Sequence, residues 1–212
     1  MAYKIKELFY SLQGEGAQAG RPAVFCRFTG CNLWSGREED RHKAICKFCD
    51  TDFVGMDGSH GGKYGADDLA EKVLSLWPAV GAGKPLVICT GGEPLLQLDA
   101  ELIAAFHAKS IEVAVETNGT VLPPEGIDWL CVSPKAAAEL IITTGDELKL
   151  VYPQTEPEAQ PEHFAHLNFS RFFLQPMDGP DVEENTKRTL AYCLEHPMWS
   201  MSIQVHKILG IE

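Results

Sequence analysis

Short apolar runs alternate with segments of helical period from Pro22 onward, and this alternation restricts the fold of the 212-residue chain more than any other feature. The runs Ala23–Phe28, Leu86–Cys89, Glu112–Glu116, Trp129–Val132, Glu147–Tyr152, Arg171–Leu174 and Ser202–His206 are mostly apolar on both faces and bounded by Gly or Pro. Buried parallel strands have that character. A helix capped by Asp67 places Leu69, Val73, Leu76 and Trp77 on one face and stops at Pro78. Asp99 opens a second helix with Leu102, Ile103 and Phe106 buried. A third runs from about Val182 to Glu195, with Leu190, Cys193 and Leu194 inward. The pattern predicts an α/β fold with a mostly parallel sheet and right-handed crossovers. The strands fall short of a closed eight-stranded barrel, and the chain is shorter than the ~250 residues typical of one. A partial (β/α) barrel and an open parallel sheet both fit. No repeat and no Gly/Ser linker divides residues 1–212, which read as one domain.

Charge and cysteine usage narrow the setting. Eighteen Lys and Arg against thirty Asp and Glu give a net charge of −12, which excludes non-specific binding to nucleic acid or to an anionic membrane. No apolar run reaches the ~20 residues of a membrane span, and Lys4, Lys6 and Glu7 interrupt the N-terminus where a signal peptide would be apolar. A cytoplasmic protein is expected. There are seven cysteines. Cys26, Cys89, Cys131 and Cys193 sit among apolar neighbours and read as core. Cys31, Cys46 and Cys49 lie in a polar, Gly-rich stretch and need another explanation.

Fourteen residues separate Cys31 from Cys46, and two separate Cys46 from Cys49. Three thiolates so placed can hold three corners of an iron–sulfur cube and leave one iron open. They can equally complete a zinc site with His42 as fourth ligand. Downstream, Thr90-Gly91-Gly92-Glu93-Pro94 follows a strand directly. Its glycines let backbone approach a ligand, and Glu93 offers a carboxylate to an ammonium group. Three further polar clusters end strands: Glu116-Thr117-Asn118-Gly119, Ser133-Pro134-Lys135 and Gln175-Pro176-Met177-Asp178. Barrels of this kind carry their active sites at the C-terminal ends of strands, so these segments point to one mouth.

With the cysteines and Gly-Gly-Glu-Pro in place, the chain resembles the radical S-adenosylmethionine (SAM) superfamily. The expanded first cysteine gap, filled by Asn32–Ile45, resembles one subgroup, the 7-carboxy-7-deazaguanine synthases of queuosine biosynthesis. The resemblance covers nearly the whole chain and implies a partial barrel. It assigns Cys31, Cys46 and Cys49 to a 4Fe–4S cluster. To SAM it assigns Phe48, Asp50, Gly91, Gly92, Glu93, Glu116, Asn118, Ser133, Pro134, Lys135, Gln175, Pro176, Met177 and Asp178. The substrate falls to Leu12, Gln13, Gly14, Glu15, Arg27 and Thr90, with Arg27 holding a carboxylate. Mg²⁺ falls to Thr51, with Asp50 acting through water.

The activity implied is that of a carbon–nitrogen lyase. One electron from a donor such as a flavodoxin cleaves SAM, and the resulting 5′-deoxyadenosyl radical removes hydrogen from C6 of 6-carboxy-5,6,7,8-tetrahydropterin. Ring contraction, return of the hydrogen and loss of ammonia give 7-carboxy-7-deazaguanine. Members of the family are usually homodimers. Two alternatives remain at this point: a radical SAM activating enzyme acting on a partner protein, and a zinc-stabilised binding module.

Overall fold

Nine strands join one sheet among the described residues, which in this computed structural model are 2–79 and 83–211. They are β1 (Tyr3–Leu12), β2 (Pro22–Phe28), β3 (Gly62–Tyr64), β4 (Leu86–Gly91), β5 (Glu112–Thr117), β6 (Trp129–Val132), β7 (Thr144–Tyr152), β8 (Asn168–Pro176) and β9 (Trp199–Met201). The α-helices are α1 (Ala66–Leu76), α2 (Ala100–Ala108), α3 (Val182–Glu195) and α4 (Val205–Leu209). The spatial order is β3-β1-β2-β4-β5-β6-β7-β8-β9. From β2 through β9 every pairing is parallel, whereas β1 is antiparallel to both β2 and β3. The two end strands do not pair with each other, so the sheet is a partial barrel with mostly parallel strands.

Alternation along each parallel strand divides two faces. Val24, Cys26, Phe28, Val87, Cys89, Val113, Val115, Leu148 and Leu150 join the main apolar cluster with Leu69 and Val73 of α1 and Leu102 and Phe106 of α2. Each such aliphatic side chain contributes roughly 1.5–3 kcal/mol by leaving water. The opposite face is apolar only at its base, where Ala23, Leu86, Ile88 and Ala114 pack with Phe25 and Trp129. Farther along the same strands that inner face turns polar, and the site is built there.

Four expectations need correction. β1 was hidden because its alternation is broken by a register shift between Ile5 and Glu7 and because Lys6 is buried. That ammonium is satisfied by Asp52 at 2.8 Å, Asp57 at 2.7 Å and the Val54 carbonyl at 2.9 Å. The final strand is Trp199–Met201, not Ser202–His206. At Ser202 the chain leaves the sheet, and Val205 N donates to the Gly14 carbonyl at 3.0 Å where α4 begins. Gly65, not Asp67, occupies the N-cap of α1; Asp67 and Asp68 lie in its first turn, where negative charge meets the positive end of the helix dipole. On α3, Leu190 and Leu194 are exposed, while Thr189 is buried and Tyr192 and Cys193 pack against the core. Asp99 does cap α2, accepting from Leu102 N at 3.0 Å. No helix among the described residues is long and apolar enough to cross a membrane.

Candidate active site

A cavity of about 510 Å³ opens at the C-terminal ends of the parallel strands. Cys31, Cys46 and Cys49 line it from one side, on the loop between β2 and β3. Leu33 N donates to Cys31 Sγ at 3.4 Å, and burial raises the Cys31 thiol. A hydrogen bond from the Cys46 thiol lowers Cys49 to about 6 and in return raises Cys46, so Cys49 is the readier thiolate of the two. Trp34 and Phe53 meet edge to face at 5.7 Å beneath the loop. The Arg41 guanidinium lies 4.1 Å from the Trp34 ring and donates to the carbonyls of Lys47 at 2.8 Å and Cys49 at 3.1 Å. That clamp fixes the Cys46–Cys49 knuckle through its main chain. His42 is exposed and does not line the cavity. Among the described residues no three His, Cys, Asp or Glu side chains converge tightly enough for a single ion. His42 is thus not turned toward the cysteines' cavity as a fourth zinc ligand would be. Three thiols facing an open cavity suit a larger cluster with one corner free.

The Gly-Gly-Glu-Pro segment forms the adjacent rim. Gly92 N donates to Phe28 O at 3.2 Å, and Glu93 N to Gly30 O at 2.9 Å. A Cβ at Gly92 would run into the Gly30 carbonyl, so only glycine permits this approach. Gly91 and Gly92 line the cavity, but Glu93 does not. Its carboxylate is fully buried, accepting from Leu95 N at 3.0 Å, Thr117 Oγ1 at 2.8 Å and Asn118 N at 2.8 Å. Burial raises its pKa against those bonds. Glu93 thus ties the end of β4 to the end of β5 and offers no free carboxylate to a ligand, contrary to the expectation from sequence.

The remaining strand ends converge as expected, with one exception. Asn118, Ser133, Lys135, Gln175, Pro176, Met177 and Asp178 all line the cavity, whereas Pro134 does not. Burial lowers the pKa of Lys135, whose ammonium donates to Ser133 O at 2.6 Å and Ser133 Oγ at 2.8 Å and lies 6.0 Å from the Phe48 ring. Asp50 and Asp178 are not free either. Lys207 of α4 donates to both, at 2.7 and 2.6 Å, and so fastens the C-terminal helix across the mouth.

Opposite the cysteines, side chains from several elements form a charged floor. Leu12 at the end of β1 and Gln13, Gly14 and Glu15 after it line this floor, with Arg27 from β2 and Thr90 from β4. Glu7 accepts from Arg27 Nε at 2.7 Å. Gln13 Nε2 donates to Glu116 Oε1 at 2.8 Å, which ties Glu116 to the floor. Sequence reasoning missed Glu7, Glu147, Lys149 and Gln204, and left the contacts of His206 open. A Cβ at Gly14 would strike the His206 ring, so Gly14 makes room for α4. The missed signal was present in Glu147-Leu148-Lys149-Leu150: if the leucines face the core, the charges face the lumen.

With the geometry established, comparison with known proteins places the chain. The Radical SAM superfamily profile matches residues 41–203, and the chain belongs to that superfamily. The 7-carboxy-7-deazaguanine synthases of Caulobacter vibrioides and Bordetella pertussis are 61% and 59% identical to it, with all of both sequences covered. That of Bacteroides thetaiotaomicron is 41% identical, again over the full length of both. The crystal structure of QueE from Escherichia coli matches with a TM-score of 0.73 at 25% identity, covering 97% of this chain and 95% of that one. Within the superfamily, the chain belongs to the 7-carboxy-7-deazaguanine synthase family.

Proposed function

We propose that the chain converts 6-carboxy-5,6,7,8-tetrahydropterin to 7-carboxy-7-deazaguanine with loss of ammonia. The observation that carries this reading is one cavity joining three cysteine thiols to an enclosed floor that holds Arg27, in a chain 61% identical to a named synthase from end to end. Cys31, Cys46 and Cys49 would hold three irons of a 4Fe–4S cluster. Bound there, the cluster supplies the electron that cleaves SAM to a hydrogen-abstracting fragment.

The protein's own contribution is orientation, charge matching and exclusion of water. The main chain of Gly91 and Gly92 meets the SAM ammonium, while Glu93 holds that backbone from behind. Asn118, Ser133, Lys135 and the Gln175–Asp178 segment embrace the rest of SAM. Glu7 occupies the Nε of Arg27, and the terminal guanidinium nitrogens take the substrate carboxylate in a bidentate pair. Gln13, Glu15, Glu116 and Thr90 orient the bicyclic ring. The Thr51 hydroxyl, which lines the same cavity, would hold a Mg²⁺, which would supply Lewis-acid and template chemistry for the substrate.

The working assembly is a cytoplasmic homodimer of one-domain chains reduced by a flavodoxin-type donor. The exposed Leu190 and Leu194 of α3 suit coverage by a second copy. The alternative, an activating enzyme acting on a partner protein, would leave Arg27 and the Gln13-Gly14-Glu15-Gly16 loop without a ligand inside the barrel. Anaerobic incubation of reconstituted protein with SAM, reductant, Mg²⁺ and the carboxytetrahydropterin should give a SAM-dependent product lighter by one ammonia, read by mass spectrometry. SAM cleavage without pterin consumption would refute the substrate.

A further inference from the structure

The floor contains a buried cation that the reading above does not use. Lys149 on β7 has a side chain only 7% exposed. Its ammonium donates to Glu15 Oε2 and, at 3.4 Å, to Glu116 Oε1. The groups facing it are Glu15 from the loop after β1, Glu116 from β5, Cys131 from β6 and Glu147 from its own strand. Lys135, beyond β6, and His206, on α4, are the other titratable groups nearby. Burial alone would lower the lysine's pKa, but Glu116 and Glu15 outweigh it and hold the group charged. Burial would likewise raise Glu15, yet Lys149, assisted by hydrogen bonds from Lys149 and Gln204, holds it at about 2.

We propose that Lys149 is a positioning residue for substrate: its ammonium, fixed between Glu15 and Glu116, keeps both carboxylates aligned to accept hydrogen bonds from the N–H edge of the bicyclic ring. The inference rests on the pterin reading and deepens it. Two carboxylates in one desolvated floor without a cation would drive one of them to protonate. A protonated carboxyl presents a donor where a reduced pterin, rich in ring N–H and amino groups, needs an acceptor. The hydrogen bonds already made show which positions are left. Glu15 Oε1 is taken by Gln204 at 2.9 Å. Glu116 Oε1 is shared by Gln13 and Lys149. Glu116 Oε2 has only a long 3.4 Å contact from Thr90 Oγ1 and so retains acceptor capacity. Glu147, two residues before Lys149, supports the same arrangement by accepting from Ala17 N at 2.9 Å, which anchors the loop that carries Glu15.

The test uses reconstituted holoenzyme and its Lys149→Met, Glu15→Gln and doubly substituted variants, with KM for the carboxytetrahydropterin and for SAM measured separately. Lys149→Met should raise the pterin KM by about 100-fold, because it strands buried carboxylates, while the SAM KM stays within about twofold. The double variant should be no worse than Lys149→Met alone, since the two residues act as one unit. Between about pH 6.5 and pH 8.5 the Lys149→Met pterin KM should fall relative to wild type, as the unpaired Glu15 regains its charge. If Lys149→Met does not hold its cluster, Lys149→Arg carries the test, keeping the charge while displacing the fork of donors. It should raise the pterin KM and leave SAM unaffected. Equal losses for SAM and pterin, additive effects of the two substitutions, or a variant kinetically identical to wild type would each overturn the proposal. Wild-type enzyme that cleaves SAM without consuming pterin would instead overturn the functional reading, and this inference with it.

Discussion

The cysteine rim and the charged floor face each other across one cavity but are built by different physics. The rim is made from short contiguous segments held largely through their main chain. Arg41 clamps the knuckle carbonyls, Gly92 lies on Gly30, and Glu93 satisfies three donors at two strand ends. On the floor, side chains from β1, β2, β5 and β7 and from the segment before α4 meet side chain to side chain, in part through pairings more than a hundred residues apart, such as Lys149 with Glu15 and Gln204 with Glu15. Breaking such a desolvated pair costs about 3–5 kcal/mol, whereas an exposed pair contributes about 0–1. The rim thus depends on main-chain contacts between short segments, whereas the floor depends on charged side chains that several strands bring together.

The largest losses are expected at the rim. Cys31→Ala should abolish SAM cleavage and the brown colour of the reconstituted protein; full 5′-deoxyadenosine formation in that variant would remove the cluster from this loop. Glu93→Ala should destabilise the apoprotein by at least about 3 kcal/mol in denaturant titration, because three buried donors lose their acceptor. Unchanged stability with lost SAM affinity would instead return that carboxylate to the pocket.

Subtler tests separate the two sides. Thr51→Ala should mainly weaken the response of turnover to Mg²⁺, and an unaltered metal titration would cancel that role. Glu15, held at about 2 by Lys149, contributes stability that is full above the ordinary glutamate value near ~4.3 and is lost as the pH falls through about 2. Glu15→Gln should flatten that acid limb of the unfolding profile. The smallest effect belongs to Lys207→Ala, whose partly exposed pairs with Asp50 and Asp178 should contribute under about 1 kcal/mol. A large loss of SAM affinity there would make the α4 latch part of the rim.

The same division explains what could be read from sequence. The parallel strands β2 and β4 to β8, the Asp99 cap and α3 were legible because periodicity and capping are local signals. So were the three cysteines and the glycine pair, whose spacing is itself the signal. Lys149 and Glu147 were not, because a charged residue in a strand reads as solvated until the other face is known to be the core. β1 was obscured by its bulge and by Lys6, a cation whose carboxylate partners lie some fifty residues away. Ser202–His206 resembled a strand in composition, but hydrogen bonds to Leu174, Gln175 and Gly14 turn the chain over the cavity instead. Glu93 was placed on the correct segment and given the wrong task, since only the fold shows which donors surround it.

The central claim is that rim and floor serve one reaction, so that hydrogen leaving the pterin on the floor is received by SAM's fragment at the rim. Its most direct test is turnover of 6-carboxy-5,6,7,8-tetrahydropterin deuterated at C6, with mass analysis of the 5′-deoxyadenosyl group recovered as SAM or 5′-deoxyadenosine. Deuterium in that group, alongside product lighter by one ammonia, is the result this account predicts. Product formed while that group stays unlabelled would contradict it.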